Sequence, residues 1–206
     1  MASSSGGGSS KRLKIGRFNQ SPNLTFAPSS VPPFQTLNSN IVWQCPWYAV
    51  RQDQILLPNG DHAEYNVVVK SQAVWVLPVT AQGDIVLVRQ YRHTVQDWCW
   101  EIPAGSVKPG QTLAEAAHEE LREEIGGVTD RLTYRGQFYT ANGICNEVGH
   151  YFLAENVILG EPAHEPVEVM SIHPTPIAEV YRLARSGQIS DATSLLVLLL
   201  CEPHLQ

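Results

Sequence analysis

The chain has 206 residues, of which 43% are hydrophobic and 17% charged, and a formal charge of −6, which suits one domain with its own apolar core. That charge argues against a binder of the nucleic-acid backbone, and no apolar run approaches the ~20 residues that span a bilayer. Cys45, Cys99, Cys145 and Cys201 make no CxxC pair, which leaves neither a zinc knuckle nor a disulfide scaffold and points to a soluble protein of the reducing cytoplasm.

Residues 1–35 read as a disordered arm. "MASSSGGGSS" and "SPNLTFAPSSVPP" flank Lys11, Arg12, Lys14 and Arg17, and no Asp or Glu precedes Asp53. Such a stretch has too little periodic apolar content to bury itself. Its basic, acid-poor composition describes a tail, a linker or an organelle transit peptide.

Residues 36–70 predict short strands broken at "PNGD", a hairpin signal. Residues 71–206 then form the main domain. "AVWVLPVT" and "DIVLVRQY" are β-branched runs joined by "AQG", and "EIPAGSVKPGQ" is a Gly/Pro-punctuated loop. Thr112 and Glu115 form a capping box opening a helix that stops at Gly126, with Leu113, Ala117, Leu121 and Ile125 as its apolar stripe. "RLTYRGQFYT" and "GHYFLAENVIL" predict two further strands. "PIAEVYRLARSG" and "SDATSLLVLLL" predict two helices, the second buried and capped by Ser190 or Asp191. This order gives an α+β fold with a mixed sheet rather than a repeating parallel unit.

The helix carries an electrostatic puzzle. Glu119, Glu120, Glu123 and Glu124 crowd two turns of "AAHEELREEIGG", and like charges four apart repel by roughly 0.2–0.5 kcal/mol per pair. Carboxylates on one helical edge can instead hold a hard divalent cation, Mg²⁺ or Mn²⁺. A solvated acidic face is the plainer reading of the helix alone. Other chemistries lack their motifs: there is no GxSxG, Walker loop, GxGxxG or HExxH. His118, His150, His164 and His173 read as ordinary surface or packing residues.

The spacing from Gly105 through Gln111 and Glu119 to "EELREEIG" resembles the Nudix box, G-x5-E-x7-R-E-U-x-E-E-x-G-U with U aliphatic. Gly105, Glu120, Leu121, Glu123, Glu124 and Gly126 match. Gln111, Glu119 and Gly127 replace the box's Glu, Arg and final aliphatic. "LPNGDHAEYNVVV", "VLVRQYRH", "WEIPAGSV", "YTANGICNEVGHYFLA" and "EPVEVMSI" extend the likeness to the ADP-ribose and ADP-sugar pyrophosphatase branch. The resemblance implies an α/β/α sandwich and a Mg²⁺-dependent enzyme splitting an ADP-sugar into AMP and a sugar phosphate. It also implies a homodimer whose N-terminal strands, residues 36–70, help form the partner's substrate site.

By position, the metal ligands implied are Glu120, Glu124, the carbonyl of Ala104 and a loop carboxylate, Glu165 with Glu168 in reserve; Glu123 stands beside them. Glu165, Glu120 and Glu124 are then the catalytic set. Arg92 is implied at the substrate diphosphate and Glu101 at the site, with Arg89 structural. Trp43, Trp47 and Tyr65 are candidates to stack on a base. Gln111 and Glu119 favour the alternative of a non-catalytic nucleotide-binding module, and a GDP-sugar or other nucleoside diphosphate compound is the other substrate reading.

Overall fold

A computed structural model describes residues 32–164 and 166–205. Most of the predicted arm, residues 1–31, and Glu165 therefore lie outside the described residues, while Gln35, assigned to that arm from sequence, already begins the first strand.

Strands β1 (Gln35–Gln44), β2 (Ala49–Leu56) and β3 (His62–Val69) form a small antiparallel sheet. The "PNG" turn joins β2 to β3, with Gly60 N–H donating to the Leu57 carbonyl at 2.9 Å. Every residue of β1 is exposed. The β3 edge of this sheet is wired to a later loop: Val68 N–H donates to Ile144 O, Asn146 N–H to Val68 O, and the Tyr65 hydroxyl to Gly143 O.

The main sheet runs β10 (Met170–Pro176), β5 (Asp84–Arg92), β4 (Ala73–Thr80), β9 (Val148–Val157), β8 (Arg131–Tyr139). β4 and β9 are parallel and the other pairs antiparallel, so the sheet is mixed, as expected. Period-two alternation divides its residues between two cores. Val74, Val76, Val86, Val88, Phe152 and Ala154 pack against α1 (Leu113–Ile125). Leu77, Ile85, Leu87, Tyr151 and Leu153 pack against α2 (Ile177–Arg185) and α3 (Ala192–Cys201). The result is the α/β/α sandwich.

Two sequence expectations need correction. α3 is not buried all round, because Leu199 and Leu200 face outward while Val197, Leu198 and Cys201 enter the core; its cap is Asp191, which accepts from Ser194 N–H at 2.7 Å. The stretch read as one loop, "EIPAGSVKPGQ", contains the end of β6 (Asp97–Glu101) and all of β7 (Ala104–Ser106).

Those two strands matter because β4 and β5 pair only at Val79 and Ile85, beside their connecting turn. Beyond that point the strands fork. β6 takes up the free edge of β5, Val88 pairing with Glu101, and β7 takes up β4, Trp75 pairing with Ala104. The linker between them is pinned where Ile102 N–H donates to the buried Ser194 hydroxyl at 3.1 Å. The fork opens a cavity of about 690 Å³.

Candidate functional site

α1 begins as its local sequence dictates. Thr112 Oγ1 accepts from Glu115 N–H at 3.2 Å and the Glu115 carboxylate accepts from Thr112 N–H at 2.8 Å, so the capping box is complete. It ends at Gly126, left-handed at φ +62°, whose N–H donates to Arg122 O at 3.1 Å while Gly127 N–H donates to Leu121 O at 2.8 Å. Burial of Ala117, Leu121 and Ile125 against the sheet fixes the helix's rotation and turns Glu120 and Glu124 toward β7.

Glu124 is only 6% exposed. Its Oε1 accepts from Ala104 N–H at 3.4 Å. Burial, then the nearby charge of Glu120, holds its carboxyl well above the usual range. Glu120 lies against Gly105, where an added Cβ would fall 2.0 Å from its Oε1. Burial first, then Glu123, pushes the Glu120 carboxyl up to about 7. Gly105 is thus a steric requirement of the carboxylate's position. Gly105→Ala is expected to displace Glu120 and lower turnover at least about tenfold with the fold intact, measurable by steady-state kinetics beside a thermal melt.

Two desolvated carboxylates facing each other beside a backbone edge are a donor set that suits a hard divalent cation. Glu123 acts on Glu120 through charge, but among the described residues no three acidic, His or Cys side chains gather as a ligand cluster. Glu165 lies outside the described residues, whereas Glu168, the reserve, is near enough for its charge to raise both Glu120 and Glu124.

Across β7 from these carboxylates, Ala104, Gly105 and Ser106 line the cavity, together with Arg92, Glu101 and Lys70. Arg92 and Glu101 meet as a bidentate pair, Nε to Oε1 at 2.8 Å and Nη2 to Oε2. Glu101 is 6% exposed, and its hydrogen bonds first and charge second raise the guanidinium's pKa. Lys70 pairs at 2.6 Å with the buried Glu147. Sequence reasoning passed over Lys70 and Glu147, which carry no local pattern and meet only through the contact of β3 with the later loop. Arg89 stacks on Trp98 and Trp100, 5.8 and 5.5 Å from their centroids.

The three candidate stacking aromatics are not brought to this cavity. Trp43 packs on Tyr48 with centroids 5.2 Å apart, Trp47 is 78% exposed, and Tyr65 lines a separate depression with Tyr139 and Ile144.

Glu119 also departs from expectation. It is no unrelieved fourth charge: Gln111 Nε2 donates to it at 2.6 Å, Lys108 Nζ lies at 3.1 Å and Arg122 at 3.9 Å. Its carboxyl is held below the usual range by the hydrogen bonds of Lys108, then Gln111. The two mismatches to the box therefore satisfy one another, with the donor now on the loop and the carboxylate on the helix. Glu119→Arg alone should lower the melting temperature by roughly 1–3 °C, and the Gln111→Glu/Glu119→Arg double variant should recover it. A single variant that melts higher than the parent would contradict this pairing.

The chain matches known proteins over residues 34–194. Residues 69–194 match the NUDIX domain family, and residues 34–68 match the nucleoside diphosphate sugar hydrolase N-terminal domain. An ADP-ribose pyrophosphatase of Bacillus subtilis is 34% identical over 145 residues, 68% of this chain and 77% of that one. An ADP-ribose pyrophosphatase of Mycobacterium tuberculosis is 32% identical over 165 residues, 79% and 80% of the respective chains. The crystal structure of an ADP compounds hydrolase superposes with a TM-score of 0.75 over 85% of this chain and 96% of that one; at 22% identity it speaks for the fold alone.

Proposed function

This chain belongs to the NUDIX domain family and is a Nudix pyrophosphatase, and we propose that it hydrolyses the pyrophosphate bond of an ADP-sugar, ADP-ribose first among them, to AMP and a sugar phosphate. The observation that carries this reading is the placement of half-buried Glu120 and buried Glu124 across β7 from a cavity lined by Arg92 and Lys70. Relatives named ADP-ribose pyrophosphatase supply the substrate class.

Mg²⁺, with Mn²⁺ the alternative, would be held by Glu120, Glu124 and the Ala104 carbonyl, completed by a carboxylate of the loop before β10. When bound, such an ion neutralises diphosphate charge and lowers the pKa of water. The chain's own part is positional. The capped helix and Gly105 fix the two carboxylates, and the Arg92 fork meets phosphate oxygens while Glu101 fixes its plane. Glu168 stands among these charges as a base to receive a proton from water.

The N-terminal sheet leaves Trp43 and Trp47 exposed, which suits a homodimer in which one protomer's strands complete its partner's substrate site. The binding-module reading rested on Gln111 and Glu119; their mutual hydrogen bond removes its motive.

The test is a panel of ADP-ribose, other ADP-sugars, GDP-sugars and dinucleotides with Mg²⁺, followed by phosphatase-coupled phosphate release. Turnover of ADP-sugars above the rest supports the assignment, a GDP-sugar ranking first would move it, and binding without turnover would overturn it.

A further inference from the structure

α1 needs more than its own sequence to end. An α-helix leaves its last four carbonyls without intrahelical partners, here those of Arg122 to Ile125, and of these the Gly126–Gly127 turn takes that of Arg122. The next two are taken by a segment far downstream: Ala163 N–H donates to Glu123 O at 2.8 Å, and His164 Nε2 donates to Glu124 O at 2.6 Å. The hydrogen must sit on Nε2, because a carbonyl only accepts. The two backbones touch here as well, since a Cβ at Gly126 would lie 2.3 Å from the carbonyl of Gly160.

The same segment is pegged at its other end. Tyr91 N–H, on β5, donates to Val169 O at 3.0 Å, immediately before β10. Glu168 therefore sits on a short span between two anchors, one on the helix that carries Glu120 and Glu124 and one on the strand that ends in Arg92.

We infer that His164 is a positioning residue: its hydrogen bond to the Glu124 carbonyl ties the acidic segment before β10 to α1 and sets the approach of Glu168 to the two helix carboxylates. This rests on the hydrolase reading given above. His164 touches no reacting atom in that reading; it acts through the segment it holds. A misplacement of a reacting group by about 1 Å is enough to lower a rate substantially.

The test compares His164→Ala with His164→Gln, whose amide keeps a donor of similar reach, in the full chain with ADP-ribose and Mg²⁺. His164→Ala should lower kcat about tenfold with KM within twofold of the parent, and His164→Gln should restore most of kcat. Hydrogen exchange at the Ala163 amide supplies a readout independent of turnover: it should accelerate at least about tenfold in His164→Ala and return toward the parent rate in His164→Gln. Equal losses in the two variants, a change confined to KM, or unaltered Ala163 exchange would each overturn the inference. If the parent turns over no compound of the panel, the hydrolase reading fails, and the tether stands or falls on Ala163 exchange alone.

Discussion

Glu120→Gln and Glu124→Gln are each expected to lower kcat at saturating substrate by at least about a hundredfold and, in metal-free protein, to raise the melting temperature. The two effects have one cause. Each carboxylate is desolvated and faces another, so removing its charge relieves the apo fold while removing what the reaction uses. The pH dependence has a definite sign. Glu120 titrates at about 7 in the fold against an ordinary value of 4.5, so the folded chain keeps a proton that the unfolded chain has released. Stability from this source is fully present below about pH 4.5 and is lost as pH rises through about 7. Metal-free parent should melt progressively lower between pH 5 and pH 8, and Glu120→Gln should flatten that slope. Mg²⁺ should raise the parent's melting temperature at pH 8 and do little for either variant. A parent indifferent to Mg²⁺, with both variants turning over normally, would remove the metal assignment.

Arg92→Ala should be the most damaging change on the cavity side. It removes a cation from the proposed diphosphate site and leaves the Glu101 carboxylate, 6% exposed, without its bidentate partner. An unpaired buried acceptor costs about 1–3 kcal/mol, more when charged. We expect a lower melting temperature together with a fall in kcat/KM of about a hundredfold or more. Arg92→Ala/Glu101→Gln separates the roles: stability should partly return because the orphaned charge is gone, while kcat/KM should stay low. Recovery of both in the double variant would reduce Arg92 to a structural partner of Glu101.

Much of this site was legible because its rules are local. Thr112 and Glu115 announce the start of α1, Gly126 its end, and the four-residue recurrence of Leu113, Ala117, Leu121 and Ile125 its buried side. What escaped depends on contacts between distant segments. The like-charge rule misjudged Glu119 because its relief comes from Lys108 and Gln111 on the preceding loop. His164 looked ordinary because its partner is a backbone carbonyl forty positions earlier, which no side-chain pattern betrays. β10 was not read as a strand because Pro174 and Pro176 interrupt it, and prolines are tolerated there only because β10 lies at the sheet's edge. The fork between β4 and β5 was hidden for the same reason: two adjacent β-branched runs with a short turn predict a hairpin, and only β6 and β7 reveal how little of it closes.

The parallel pairing of β4 with β9 has a consequence for how the molecule comes into being. Leu77 meets Leu153 across that pair, and β5, β6, β7 and α1 all lie in the stretch of chain between them. During synthesis the capped helix and the Val79–Ile85 turn can form as soon as they emerge, but the strand that pairs with β4 arrives only after all of them. Long-range parallel pairing must meet its loop-closure entropy before it gains contacts, which slows folding. Until β9 docks, the core beneath α1 lacks Phe152, Ala154 and Val157 and is incompletely covered. A nascent chain stalled before residue 148 should therefore bind a hydrophobic-surface dye and resist neither protease nor aggregation, while one extended past residue 157 should begin to bury that surface.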